Sequence, residues 1–221
     1  DSEISNNIAK SSVVMFASGC ENVVNSFQWS GYTDTTDLSE SRDSIKMIIK
    51  ENQSLESHVM ELSQCDLKIR GAIVESNTAT SQSTGIFAAF CKVEIEGAAM
   101  RDQGHNTFRG GFLALGPDVS AAITNSSFIN GLAETGGAIF ASGSHQLIIQ
   151  KSVFNSNRAE TGGAVHAANC LLLDIRGESV FEDNIGSEDG SQLNIDGGLN
   201  VKIHENVQFK IELDSISPVR I

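Results

Sequence analysis

Two glutamates stand in one repeated phrase, and their spacing bears on catalysis. The hexapeptide AETGGA occupies residues 133–138 and again residues 159–164, so Glu134 and Glu160 lie 26 positions apart. If each repeat is one turn of a coil, their carboxylates stack about 5 Å apart, the separation found in retaining glycosidases. Repetition of the whole phrase is better explained by backbone geometry than by a unique site. We therefore predict no enzymatic activity and no catalytic residue.

The cysteine and histidine residues lack the spacings of known metal sites, since neither Cys-x-x-Cys nor His-Glu-x-x-His occurs. Cys65 and Cys91 begin the matching phrases CDLKIRG and CKVEIEG, 26 positions apart. In adjacent coils their Cα atoms would be about 4.8 Å apart, within disulfide range. A disulfide and two stacked, partly buried thiols both stay open. His166 is expected to stack on Phe140 of the preceding coil rather than to bind a ligand.

Two further kinds of site are suggested by short motifs. The acidic stretch Gly186–Ser191 could bind Ca²⁺, although a solvated turn is the simpler interpretation, and no other cofactor is expected. Asn52 and Asn125 each begin an Asn-x-Ser triplet, the acceptor pattern for N-glycosylation. On a secreted eukaryotic protein either asparagine could carry a glycan.

Composition excludes several partners. The 221 residues include 28 acidic and 15 basic side chains, a net charge of −13 that would repel nucleic acid phosphates and anionic lipid headgroups. No run approaches the roughly 20 apolar residues of a membrane-spanning helix, so we predict no direct membrane span. Because the chain begins at Asp1 without an initiator or a signal peptide, we expect it to be a segment of a longer protein.

Short apolar alternations recur at a nearly constant spacing, with first members 26, 28, 26, 26 and 28 positions apart. Alternation with period two indicates strands, and the connecting stretches are too short and too rich in Gly, Asn and Ser for crossover helices. The pattern predicts a parallel β-helix of about 26 residues per coil, in which equivalent residues stack into interior columns. The repeated segments are Leu67-Lys-Ile69, Val93-Glu-Ile95, Ala121-Ala-Ile123, Leu147-Ile-Ile149, Leu173-Asp-Ile175 and Val201-Lys-Ile203.

Glycine pairs mark the corners of these coils. Gly136-Gly137 and Gly162-Gly163 are expected where the backbone needs unusual angles or minimal side-chain bulk. Gly110-Gly111 and Thr84-Gly85 look like earlier versions of the corner. We expect one β-helix domain over residues 1–221, with less regular coils in 1–60 and regular coils in 61–210.

Gly-Gly-Ala followed by Ile or Val, alternating with Phe-x-x-Asn, resembles the repeats of the chlamydial polymorphic outer-membrane proteins. The resemblance extends from about residue 110 to residue 184. It departs where Phe128-Ile-Asn130 is one residue short, where Val74-x-x-Asn77 lacks the Phe, and where Gly-Gly follows Phe108. The matching residues are Gly136, Gly137, Ala138, Gly162, Gly163, Ala164, Phe154, Asn157, Phe181 and Asn184.

This resemblance implies an all-β fold, a right-handed single-stranded parallel β-helix exposed outside the cell. We expect a non-enzymatic adhesin or a structural subunit of a cell-surface layer or filament, with itself, other surface proteins or glycans as partners. The alternatives are a carbohydrate-active enzyme of the polysaccharide lyase or hydrolase type and a glycan-binding module, for which Trp29 and Tyr32 are the best stacking aromatics. Since residues 209–216 alternate like an uncapped strand, we also expect either continuation beyond Ile221 or end-to-end association.

Overall fold

The fold is an all-β parallel solenoid, as the sequence predicts. The computed structural model describes residues 2–5, 8–9, 15–18, 47–50, 53–54, 60–64, 67–75, 78–79, 85–102, 109–189, 192–210 and 219–220. Every regular element among these residues is a β-strand, and the strands stack in about five coils of about 26 residues. No helix within these ranges is long and apolar enough to span a membrane.

The strands are short because each coil turns several corners. In chain order they are β1 (Ser2–Ser5), β2 (Ile8–Ala9), β3 (Met15–Ser18), β4 (Met47–Lys50), β5 (Gln53–Ser54), β6 (Met60–Ser63), β7 (Leu67–Arg70), β8 (Ile73–Glu75), β9 (Thr78–Ala79), β10 (Ile86–Ala89), β11 (Lys92–Glu96), β12 (Ala99–Arg101), β13 (Leu113–Leu115), β14 (Ser120–Thr124), β15 (Ser127–Ile129), β16 (Ile139–Ser142), β17 (Gln146–Gln150), β18 (Val153–Asn155), β19 (Arg158–Thr161), β20 (Val165–Arg176), β21 (Val180–Glu182), β22 (Ile185–Asp189), β23 (Leu193–Ile203), β24 (Gln208–Lys210) and β25 (Val219–Arg220).

Each strand pairs in parallel with its equivalents in the neighbouring coils. One sheet has the order β1-β4-β8-β12-β15-β18-β21-β24. A second sheet contains two runs, β3-β6-β10-β13-β16 and β7-β11-β14-β17, which meet in β20 because that 12-residue strand covers both positions. β23 continues this sheet beyond β20, and β19-β22 and β2-β5-β9 form smaller sheets.

Two predicted interior columns are confirmed by the strand register. The first runs through Leu67, Val93, Ala121, Leu147, Leu173 and Val201, and the second runs through the isoleucines at positions 69, 95, 123, 149, 175 and 203. All are buried except the last member of each column, which is partly buried and packs against the same core. A single coil has too little surface to bury these side chains, so neighbouring coils form the core together.

Aromatic rings fill a third column, on the inner side of the sheet that contains β15, β18, β21 and β24. Phe128, Phe154, Phe181 and Phe209 lie in register, with successive ring centroids 4.9, 4.7 and 5.1 Å apart. The first two pairs are within 6° of parallel, so flat rings accommodate the coil spacing of about 4.8 Å. Earlier coils place Met100 and Val74 in this column, because Met100 lies in register with Phe128 and Val74 lies in register with Met100. The predicted departure at Phe108 lies outside the described residues.

The N-terminal strands join the same sheets as the later ones. β1 pairs with β4 and β4 pairs with β8 in one sheet, while β3 pairs with β6 in the other. Apolar stretches at Val13–Phe16, Asn22–Val24 and Ile45–Ile49 predict strands in this part of the sequence; the first and last overlap β3 and β4, and Asn22–Val24 lies outside the described residues. The proposed division at residue 60 stays a prediction.

Truncation of one stacked ring tests the aromatic column. We expect Phe154→Ala to lower the free energy of unfolding by about 3–5 kcal/mol, because it leaves a cavity between two rings that cannot close across a fixed coil spacing. Val153→Ala is the matched control, since Val153 is 37% exposed in the same strand, and it should cost less than about 0.5 kcal/mol. Urea denaturation measures both, and equal effects would contradict the column as a source of stability.

Candidate functional site

The glycine corners have the geometry that the sequence predicts. Gly136 and Gly162, the first glycines of the two pairs, have φ of +64° and +62°, a left-handed conformation that favours glycine. The second glycine is needed for its lack of bulk, because a Cβ on Gly137 would come within 2.2 Å of the carbonyl oxygen of Gly163. Both reasons for a glycine therefore apply, one at each position of the pair.

The residue after the glycine pair occupies a small interior slot. Ala138 and Ala164 are fully buried there, and the equivalent residue in the preceding coil is Phe112. Its ring packs edge-on against Phe128, with centroids 5.7 Å apart. A Cβ on Gly131 would lie 2.2 Å from the carbonyl oxygen of Gly137 and 2.5 Å from the Phe112 ring, so backbone and ring together exclude a side chain at the position equivalent to Asn157. Glycine at position 131 thus accommodates both the close backbone of Gly137 and the Phe112 ring.

Asn157 and Asn184 form a buried ladder of amide hydrogen bonds along the solenoid axis. Asn157 donates its backbone N–H and its side-chain amide to Asn184 Oδ1, at 3.0 and 2.8 Å. Each amide also donates to a carbonyl of the preceding coil, that of Phe128 for Asn157 and that of Phe154 for Asn184, both at 3.0 Å. Asn157 Oδ1 accepts the N–H of Gly131 at 2.8 Å. The Asn of each Phe-x-x-Asn motif is therefore an interior structural residue.

Gln192 extends this amide ladder in the next coil. It occupies the slot of Ala138 and Ala164, is fully buried, and accepts a hydrogen bond from Asn184 Nδ2 at 2.5 Å. Its own amide donates to the carbonyl of Lys210 at 2.9 Å. Sequence reasoning missed this residue, although alignment of residues 190–193 with Gly162–Val165 places Gln192 opposite Ala164.

Buried serines form a second axial ladder at another corner. Ser126 Oγ accepts the N–H of Ala98 at 3.2 Å, Ser152 Oγ accepts the N–H of Ser126 at 3.2 Å, and Ser179 Oγ accepts the N–H of Ser152 at 3.4 Å. All three serines are at most 3% exposed. Their hydroxyls satisfy backbone donors at a turn, where strand pairing does not reach.

Charged side chains on the outer face of β7 and β11 pair across the coils. Lys68 Nζ lies 2.7 Å from Glu94 Oε2, and Arg70 Nε lies 3.2 Å from Glu96 Oε2. Lys92 Nζ contacts the other oxygen of Glu94 at 2.6 Å. Hydrogen bonds from Lys68 first, and then from Lys92, lower the pKa of Glu94 from 4.5 to about 2. This carboxylate is ionised at neutral pH and held between two ammonium groups.

The outer face is concave beside these ion pairs. β14 presents two short outward side chains, Ala122 and Thr124, in register with Glu94 and Glu96. The result is an open concavity of about 210 Å³ lined by Lys68, Arg70, Glu94, Glu96, Ala122 and Thr124.

Asp174 is the buried carboxylate at the other end of this face. Its Oδ1 lies 3.0 Å from His204 Nε2 in the next coil, and its Oδ2 accepts a hydrogen bond from Arg176 at 3.4 Å. Asp174 is only 7% exposed, and its buried negative charge is compensated by the guanidinium of Arg176 and the imidazole of His204. Its role is again to connect adjacent coils.

His166 and Phe140 stack as predicted. Their ring centroids are 5.6 Å apart and the planes differ by 10°, while the guanidinium of Arg109 lies 5.0 Å from the Phe140 ring centroid. Burial lowers the pKa of His166 below its ordinary value of 6.5, which favours a neutral ring in this stack.

Glu134 and Glu160 are exposed in adjacent coils, as the repeated phrase predicts. Their backbones are joined by a hydrogen bond of 2.8 Å from the N–H of Glu160 to the carbonyl of Glu134. They belong to the same corner as the glycine pairs, so their stacking follows from the repeat.

The predicted acidic loop at Gly186–Ser191 is a strand over its first four residues, so the loop interpretation is wrong there. Residues 185–189 form β22, which pairs with β19, with Ile185 in register with Arg158. Within the described ranges no group of three or more His, Cys, Asp or Glu side chains could hold a metal ion.

The modification sites are only partly within the described residues. Asn125 is exposed, with a left-handed φ of +49°, in the turn between β14 and β15. Cys91 is buried, but its predicted disulfide partner is not described, so the disulfide and both glycosylation sites stay predictions. The predicted residues outside the described ranges are Cys65, Asn52, Trp29 and Tyr32.

The in-register columns, the amide and serine ladders and the glycine corners together define a parallel β-solenoid. No family model, no curated protein and no solved structure matches the chain in comparisons with known proteins. The resemblance to the chlamydial repeats therefore rests on the quoted motifs and stays a prediction.

Replacement of one ladder amide tests the interior hydrogen bonds. We expect Asn157→Leu to cost about 3 kcal/mol or more, because the N–H of Gly131 and the carbonyl of Phe128 both lose a buried partner. Asn155→Leu, two residues earlier and only partly buried, should cost less than about 1 kcal/mol in the same urea titration. If Asn157→Leu were as mild as this control, the ladder would not be needed for stability.

The ion pairs predict a dependence of stability on pH. Because the folded pKa of Glu94, about 2, lies below its ordinary 4.5, its stabilising contribution is complete above pH 4.5 and is lost as the pH falls towards 2. We therefore expect the difference in unfolding free energy between wild type and Glu94→Gln to shrink over this window. Glu96→Gln removes a pair that is more than half exposed and should change little at any pH. A difference that is constant from pH 7 to pH 2 would contradict the assignment.

Proposed function

We propose that this chain is a non-enzymatic β-solenoid that works outside the cell, as an adhesin or as a structural subunit of a surface layer or filament. One observation carries the proposal: on the outer face of β7 and β11, the carboxylates are held in ion pairs by cations of the neighbouring coil and are not free for acid–base catalysis. The pairs of Lys68 with Glu94 and of Arg70 with Glu96 are the clearest cases.

These contacts make the outer-face carboxylates poor candidates for acid–base catalysis. A glycosidase needs one carboxyl group that stays protonated near neutral pH, and the pKa of Glu94 is displaced in the opposite direction. Both oxygens of Asp174 are already occupied by His204 and Arg176. The exposed pair Glu134 and Glu160 stands in a repeated phrase whose glycines have a structural reason.

The extracellular location is supported by independent features of the sequence. The net charge of −13 disfavours nucleic acid partners, Asn125 of the Asn-x-Ser triplet is exposed in a turn, and the corner motifs resemble those of bacterial surface proteins. A solenoid also presents the same outward positions once per coil, so several weak contacts can act together on one surface.

A polysaccharide panel, containing both acidic and neutral polymers, tests the proposal. We expect the protein to bind cells or immobilised glycans without releasing reducing ends or unsaturated products during prolonged incubation. Glu134→Gln and Glu160→Gln should leave this binding unchanged. Turnover of any polymer that disappears in either variant would establish the alternative, a carbohydrate-active enzyme, and would overturn the proposal.

A further inference from the structure

The concavity on the outer face is the place where the columns of long side chains are interrupted. Lys68 and Glu94 occupy one outward column and Arg70 and Glu96 the next, and both columns continue in β14 with short residues. Because the side chains of Ala122 and Thr124 are short, about 210 Å³ beside the ion pairs stays open to solvent. Sites for drug-sized ligands have volumes of about 300–1,000 Å³, so this concavity is smaller and has room for about one six-membered ring.

The positive and negative charges that line this concavity are equal in number, and this balance favours a neutral ligand. Its two cations and two carboxylates are paired at 2.7 Å for Lys68 with Glu94 and at 3.2 Å for Arg70 with Glu96. A charged ligand would have to compete with a partner already in contact and would leave one group unpaired. A neutral ligand can leave both pairs intact and use the hydrogen-bonding capacity that remains on each group.

The pairs place donors directly beside acceptors. An ammonium or guanidinium group only donates hydrogen bonds and a carboxylate only accepts them, whereas a hydroxyl does both. Two neighbouring hydroxyls on a ring can therefore bridge a cation and its carboxylate. The methyl groups of Ala122 and Thr124 offer an apolar contact for the C–H groups of the same ring.

We propose that this concavity binds one neutral sugar ring through vicinal hydroxyls, with the two ion pairs as hydrogen-bonding groups and Ala122 as the apolar contact. The inference rests on the proposed function, since it would supply the glycan contact of an adhesin. The Glu94 side of the site is preorganised, because Lys68 and Lys92 together fix this carboxylate. Little side-chain freedom would be lost on binding, which matters for a shallow site.

Saturation-transfer NMR with simple probes tests the site. The probes are the methyl glycosides of glucose, galactose, mannose and N-acetylglucosamine, with acetate and glycine as charged comparisons. We expect transfer to at least one glycoside and none to the charged probes. Because the ligand is neutral, its affinity should change less than twofold between about 0.05 M and about 0.5 M NaCl.

Variants locate the binding. Ala122→Trp fills the concavity and should weaken glycoside binding at least tenfold. The control Gln146→Trp places the same ring on the same face, one coil away from Ala122 and outside the concavity, and should leave affinity within twofold. Melting curves identify any variant that fails to fold, in which case Ala122→Ile serves instead, since Ile148 already occupies the equivalent outward position of the next coil.

The results separate this inference from the function on which it rests. Absence of glycoside binding, binding of charged probes only, or full binding by folded Ala122→Trp would each overturn the sugar site. If the wild type also adheres to cells in these cases, the adhesin proposal stands without it. If glycosides bind at the concavity but a polysaccharide is cleaved, the sugar site stands and the non-enzymatic function fails.

Discussion

Backbone hydrogen bonding between parallel coils is the constraint on which the rest of the structure depends. It fixes equivalent positions about 4.8 Å apart, so each side chain has its own counterparts as nearest neighbours above and below. Apolar side chains meet this condition easily, as the Leu67 and Ile69 columns show. Planar rings meet it especially well, because 4.7–5.1 Å between Phe centroids is both the coil spacing and a normal stacking distance.

The same constraint decides which polar residues can enter the interior. A side chain that accepts a hydrogen bond from the neighbouring coil can be buried: the amide of Asn184 accepts from the amide of Asn157, and the hydroxyl of Ser152 accepts the backbone N–H of Ser126. An ionised carboxylate only accepts, so a stack of identical carboxylates would leave like charges in contact. On the outer face of β7 and β11, charged residues accordingly alternate in sign along a column, as Lys68 and Glu94 do.

The sequence predicts the features that every coil repeats and misses those that one coil alone contains. The apolar columns, the corners at Gly136 and Gly162 and the stacking of His166 on Phe140 follow from a period of about 26 residues. The ion pairs could also be predicted from the sequence, because the aligned phrases CDLKIRG and CKVEIEG place Lys68 opposite Glu94. The need for glycine at position 131 could not be predicted from the sequence, since it depends on how closely the Gly137 carbonyl and the Phe112 ring approach that position.

A repeated architecture limits where a unique function can arise. A residue that stacks on its copies is already required for coil-to-coil contact, so its replacement by a binding or catalytic group would disturb two neighbours at once. The choice of residue is less restricted at positions where a column changes from one type of side chain to another. Gln192 is such a position in the interior, where it continues an amide ladder from an alanine slot. Ala122 is such a position on the outer face. Its side chain is shorter than those of Lys68 and Glu94 in the same column, so the neighbouring ion pairs are exposed to solvent.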